Sequence, residues 1–190
     1  MITVLNASKR QEIQDLFDNS EEFEVREVPG WQKELEEELK AQEGLRNKTY
    51  IPTPGDVPTI GYGHTGKYAK PGAYVTDDQA EAILKSDIQE REPEIKGLMP
   101  EFEVFPTELQ VPLASSHFRG SLGGSPKTLN YINTGQYKKA ADEFLDNAEY
   151  KNAKARGRPG IRPRMERTSN ALRKFGTGQH PSNTLIPGTN

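Results

Sequence analysis

The chain has 190 residues, no cysteine, 33% hydrophobic residues and a mean hydropathy of −0.83. That length can bury a real core, although part of a chain this polar must be weakly packed. The lack of cysteine excludes disulfides, thiolate zinc sites and cysteine nucleophiles. The formal charge of −3 conceals a gradient, because residues 1–43 sum to −7 and residues 151–190 to +8. Such asymmetry means either an anionic partner at one end or two ends that neutralise each other.

In chain order, residues 1–30 read as an acidic N-terminal extension, with one short amphipathic helix around Lys9–Phe17 and an end at Pro29-Gly30. The opening MITVLNASKRQEIQDLFDNS has neither a basic n-region nor an apolar h-region. No stretch approaches the roughly 18 apolar residues needed to cross a bilayer, so no membrane insertion is expected. A target outside the cytoplasm would then need another machine to deliver this protein.

From Trp31 to Arg46 the sequence predicts a helix, with Trp31, Leu35, Leu39 and Ala41 as its apolar stripe and Gly44 marking its end. Glycine and proline recur between 49 and 75. Short β-prone pieces at Tyr50-Ile51, Thr59–Tyr62 and Ala73–Val75 predict a small antiparallel sheet. Thr76-Asp77-Asp78-Gln79 is a capping-box signal, followed by Ala80, Ile83, Leu84 and Ile88 at helical spacing. Pro106–Phe118 reads as a helix that Pro112 should kink or break. Ser125-Pro126 offers an N-cap and a first-position proline for a helix to Ile132. Gln136–Leu145 is amphipathic, a bend at Gly157–Pro163 follows, and Arg164–Phe175 is a basic helix. Residues 177–190 read as a polar tail. One helix, a small sheet and further helices make an α+β domain.

The chemistry-bearing stretch is Glu43-Gly44-Leu45-Arg46, then Lys48 and Tyr50, then Pro58-Thr59-Ile60-Gly61-Tyr62-Gly63-His64-Thr65. Breaking a glycosidic bond needs a proton for the leaving oxygen and a group that activates water or traps the cationic centre. A glutamate ending a helix and facing a glycine-rich hairpin suits the first task. Partial burial is expected to favour its proton-bearing form. Gly61, Tyr62 and Gly63 form a candidate binding strand, its glycines letting sugar rings come close to the backbone.

In these residues, EGLRNKTY and PTIGYGHT above all, the chain resembles the phage-type lysozymes, the muramidases of phage endolysins. The resemblance runs from about Trp31 to Gly176. It takes in VTDDQAEAILKSDI, LNYINTGQYKKAADEF and GRPGIRPRMER. It implies a lysozyme-like α+β fold, a small antiparallel sheet lobe plus a mainly helical lobe with the active-site groove between them. It also implies inverting hydrolysis of the bond between N-acetylmuramic acid and N-acetylglucosamine, with no cofactor. Glu43 matches the general acid and Thr59 the threonine that holds the attacking water. In inverting enzymes the two catalytic carboxyls stand about 6.5–9.5 Å apart. His64 matches a structural histidine paired with an acid, here Asp87, rather than a base or metal ligand. Arg162 and Arg164 match a region where a cation lies near the acid; the plainer reading of both is a solvated basic turn.

Two departures stand out. The family pattern is Glu, eight residues, Asp, five residues, Thr. Those counts reach Pro52 from Glu43 and Thr53 from Thr59, and the Glu-to-Thr interval is one residue longer. The loop's one carboxylate is Asp56, a candidate base if the turn is re-routed and an ordinary turn former otherwise. Arg119, in Phe118-Arg119-Gly120, stands where an asparagine is usual and should alter the groove or a helix contact.

His117 and His180 show no ligand spacing, so no metal site is expected. The basic run from Lys151 to Lys174 lacks the interleaved aromatics of a nucleic-acid surface, which argues against that partner. Bacterial peptidoglycan is the expected substrate. The protein would wait in the host cytoplasm as an endolysin or travel in the phage tail, with residues 1–30 and 177–190 touching other virion proteins. The acidic extension and a pI of 5.7 lean toward the virion. A contrasting reading is a catalytically weak or inactive lysozyme-like component of a phage particle that binds glycan or serves structure. Its support is the missing aspartate.

Overall fold

The computed structural model describes residues 29–178 apart from 53, 156 and 159. The helix expected around Lys9–Phe17, the stretch before Pro29, Thr53, His180 and the tail from 179 lie outside the described residues. Within them the architecture is α+β, with seven α-helices and one three-stranded antiparallel sheet. No helix there is long and apolar enough to cross a membrane. The chain divides into two compact units, residues 1–92 and 93–190.

The first unit opens with helix α1, Gly30–Glu43. Trp31, Leu35 and Leu39 are buried along one side, as their spacing predicts, but Ala41 is exposed. The helix stops three residues earlier than expected. Gly44 takes φ 67°, a left-handed conformation that costs glycine little, and the chain reverses there. Arg46 is therefore the first residue of strand β1, Arg46–Tyr50, rather than the last of a helix.

Strand β2 is Thr59–Gly61 and β3 is His64-Thr65, in the order β1-β2-β3. Arg46 faces Gly61 and Tyr50 faces Thr59, so five residues of β1 stand against three of β2 with an irregular register between. Ile51 and Tyr62 fall outside the strands. The strand expected at Ala73–Val75 is a single bridge, Lys48 with Tyr74. Ile60, Tyr68, Ala69, Ala73, Val75, Ala80 and Ile83 form the core beneath the sheet.

Helix α2, Asp77–Leu98, begins as the sequence predicts. The Thr76 hydroxyl accepts from the Gln79 amide at 3.2 Å, and Gln79 Oε1 accepts from the Thr76 amide at 2.9 Å. That reciprocal pair satisfies two orphan donors. Ala80, Ile83, Leu84 and Ile88 are all buried. Pro93 lies inside the helix, where the division between the units falls.

The second unit is helical: α3 Thr107–Phe118, α4 Pro126–Asn133, α5 Tyr137–Leu145, α6 Ala148–Asn152 and α7 Ile161–Phe175. A 3-10 turn at Phe102–Val104 and the short α6 have no counterpart in the sequence reading. Pro112 does not break α3, which runs through it. Ser125 does not cap α4; its hydroxyl donates to the Ser121 carbonyl at 2.8 Å instead. Pro126 does hold the first helical position. Helix α7 starts at Ile161, so Pro163 sits in its first turn, where a missing amide proton is no loss.

Phe105, Tyr137 and Phe175 meet edge to face, with centroids 4.7–6.1 Å apart. A buried polar clasp ties α3 to α7. The Thr168 hydroxyl donates to the Pro112 carbonyl at 3.1 Å and lies 2.8 Å from the Ser116 hydroxyl. Thr168→Val keeps the shape and strands the Ser116 hydroxyl in the interior. Urea unfolding should show a loss of about 1–3 kcal/mol, with Thr168→Ser closer to wild type.

Candidate functional site

The residues singled out at Glu43, Asp56 and Thr59 all belong to the first unit, on one continuous path of helix end, strand, turn and strand. Glu43 is the last residue of α1, directly before the Gly44 reversal. It is exposed, not partly buried, because the helix ends clear of the core that covers Leu39.

Thr59 opens β2 and is buried. Its hydroxyl donates to the Val57 carbonyl at 3.1 Å. With the proton committed there, the oxygen's lone pairs remain to accept from a water or ligand. The same bond pins the turn that carries Asp56, two residues back from Val57's successor Pro58. Asp56 is exposed and follows Gly55 in that turn.

The hairpin from β2 to β3 runs through Gly61-Tyr62-Gly63. Gly61 has φ 63° and is buried, and a Cβ built on it would lie 3.4 Å from the Ala80 Cβ of α2. That left-handed backbone, seated in ordinary contact with α2, is the structural reason for a glycine there. Gly63, by contrast, is exposed with open space around it. Tyr62 packs against the core with Leu45. Burial pushes its phenol above the ordinary value, although the charge of Lys40 pulls the other way.

Lys40 is the hub of the polar side of α1. It bonds Glu36 at 2.7 Å and Glu81 of α2 at 3.1 Å. Burial opposes its charge, yet those carboxylates outweigh the burial and hold the ammonium above its ordinary range.

His64 Nδ1 lies 2.9 and 3.1 Å from the two oxygens of Asp87 on α2. The ring tilts against Tyr68 at 5.5 Å. Its buried Nε2 has no hydrogen-bond partner among the described residues. Held at one nitrogen and closed in at the other, the ring anchors hairpin to helix. No group of three or more potential metal ligands occurs among the described residues.

Arg162 and Arg164 lie on α7, in the second unit. The Arg162 guanidinium donates to the Tyr150 hydroxyl at 3.0 Å, stacks 4.6 Å above that ring and approaches Glu166 at 3.7 Å. Tyr150 in turn donates to Glu166 at 2.6 Å. Sequence reasoning missed this cluster, although Glu166 four residues after Arg162 was a helical-spacing signal for it. Lys151 pairs with Asp146 and Arg173 with Asp142, so part of the basic run is spent internally. Arg119 lies 3.9 Å from Glu149, a helix contact.

Residues 40–168 match the model of the phage lysozyme family. The chain belongs to that family. The match takes in Glu43, Asp56, Thr59, the hairpin, Arg162 and Arg164. Among relatives, the endolysin of Bacillus phage B103 is 37% identical over 111 residues, which cover 56% of this chain and 41% of that protein. The chain thus spans about two fifths of that relative's length. The endolysin of Salmonella phage P22 is 32% identical over 122 residues, covering 56% of this chain and 75% of that one. A crystal structure of a P22 lysozyme mutant aligns with a TM-score of 0.54 and 26% identity, over 78% of this chain and 99% of that one. The fold is lysozyme-like.

Gly61→Ala puts a side chain into a left-handed conformation and against Ala80. Thermal and urea unfolding should show a loss of about 1–2 kcal/mol from the backbone alone.

Proposed function

We propose that this phage lysozyme family member is a muramidase that hydrolyses peptidoglycan between N-acetylmuramic acid and N-acetylglucosamine with inversion, Glu43 acting as general acid. The observation that carries the reading is the path from Glu43 to Thr59. An exposed carboxyl at a helix end is joined by one short strand to a buried threonine whose oxygen is free to accept, inside the family match.

In this mechanism a glycan strand lies against Glu43, with the leaving oxygen of the scissile bond within reach of its carboxyl. Glu43 gives its proton to the leaving oxygen as the glycosidic bond breaks. A water enters from the opposite face of the ring and forms the new bond at the anomeric carbon. Thr59 orients that water by accepting one of its protons in a hydrogen bond, and a carboxylate takes the other proton. Asp56 is the carboxylate we assign. The extra residue between Glu43 and Thr59 has room in the irregular β1 and the turn after it, and the Thr59–Val57 bond ties that turn to β2. His64 and Asp87 are structural in this reading. Gly63 and Tyr62 border the bound glycan, and Arg162 and Arg164 receive anionic groups of the wall polymer.

The protein would act from the host cytoplasm as an endolysin, or from the phage tail with residues 1–30 and 177–190 as its attachments and 31–176 as the lysozyme domain. A second reading, a weak or inactive particle component, is favoured by one observation: the position nine residues beyond Glu43 is Pro52.

Turbidity of chloroform-treated bacterial cells separates the two. Glu43→Gln should lower the clearing rate by at least about a hundredfold. Asp56→Asn should lower it comparably, and near-normal clearing by that variant would remove Asp56 from the mechanism. Wild type no faster than Glu43→Gln would establish the inactive component. Thr59→Val should slow clearing about tenfold or more while Thr59→Ser retains most of it.

A further inference from the structure

The middle strand of the small sheet is buried, but β1 and the segment bridged to it carry exposed side chains of a definite chemistry. Lys48 and Tyr74 form an antiparallel bridge flanked by the bonds Thr49 N to Ala73 O at 3.1 Å and Val75 N to Asn47 O at 2.9 Å. That pattern marks a non-hydrogen-bonded pair, in which opposed side chains stand closest. Ala73 and Val75 are buried in the core, so Tyr74 between them points outward, and it is 43% exposed.

Lys48 carries this pair on β1, and Arg46 and Tyr50 flank it at the two ends of the strand. The Arg46 guanidinium lies 5.2 Å from the centre of the Tyr50 ring, which places those two side chains together. Lys48 between them is exposed and has no acidic partner among the described residues, whereas Lys40 and Lys85 both meet Glu36. Two cations and two tyrosines thus pair along β1, Arg46 with Tyr50 and Lys48 with Tyr74, in a protein whose net charge is −3. An anionic polymer meets an opposite sign here that the protein's overall charge does not offer.

We propose that Arg46, Lys48, Tyr50 and Tyr74 hold the wall polymer along β1: the tyrosine rings receive sugar-ring faces, and the cations receive the carboxylates of the peptide stems. This rests on the peptidoglycan reading above and names a part of the substrate that the hydrolysis itself does not touch. Tyrosine ring faces suit the C–H faces of sugars, and exposed cations suit carboxylates that remain hydrated.

The test is pelleting of the full chain, carrying Glu43→Gln so that nothing is cleaved, with purified sacculi. In that background Lys48→Glu with Tyr74→Ala should be retained about tenfold less at low salt, and the gap should close as salt rises. Lys48→Arg with Tyr74→Phe should be retained like the parent, which separates lost contacts from lost folding. On sacculi stripped of stems by an amidase the gap should vanish; on sacculi stripped only of phosphate polymers it should persist. Equal retention of both pairs on intact sacculi overturns the proposal, and a gap that vanishes only with the phosphate polymers overturns the assignment to stems. If wild type clears cells while the Glu43→Gln protein pellets equally with or without the substitutions, the holding face fails and the muramidase stands. If the protein neither clears nor pellets, both fail.

Discussion

The contact between Gly61 and Ala80 is the constraint on which the first unit turns. A hairpin can settle onto a helix only as closely as the residues between them allow, and here both are nearly without side chains. That seat brings His64 within hydrogen-bond distance of Asp87 and turns Tyr62 toward Lys40 and Glu81. Ile60 beside Gly61 belongs to the core, and Thr59 is buried as well. A larger side chain at 61 would meet both a left-handed backbone and Ala80.

Polar groups in this protein are handled differently in its two units. In the first they form an ion cluster at the edge of a helix pair, where Lys40 joins Glu36 and Glu81. In the second a wholly buried hydroxyl clasp joins α3 to α7 through Thr168, Ser116 and Pro112. The clasp costs less to bury because hydroxyls carry no net charge and each finds a partner. The ion cluster keeps part of its surface in water, which spares it the full desolvation penalty.

The charge gradient along the chain acquires a more local meaning in the structure. Several cations of the C-terminal third are spent inside their own unit, on Asp142, Asp146 and Glu166. The open cations of the sheet, a short run of Arg46 and Lys48, contribute little to the total, yet they are exposed and stand beside tyrosines. Net charge counts residues, whereas recognition depends on which of them remain unneutralised and share a face.

Features that depend on near neighbours were legible in the sequence. Thr76 and Gln79 cap α2 reciprocally, because a box three residues long needs nothing from elsewhere. The stripe of Trp31, Leu35 and Leu39 was equally plain, as was the His64–Asp87 pair once the family resemblance supplied the partner. The sequence by itself therefore determined the α+β class, the family and the path from Glu43 to Thr59. Tertiary structure decided where competing local signals resolve. Gly44 ends α1 before Arg46 because β1 gains a partner in β2, and Pro112 stays helical because packing on α7 holds it. It moved Ser125 from a cap to a bond with Ser121. It also seated Gly61 against Ala80 and left Glu43 exposed. Burial and strand facing depend on residues far apart in the chain, and spacing alone carries no record of them.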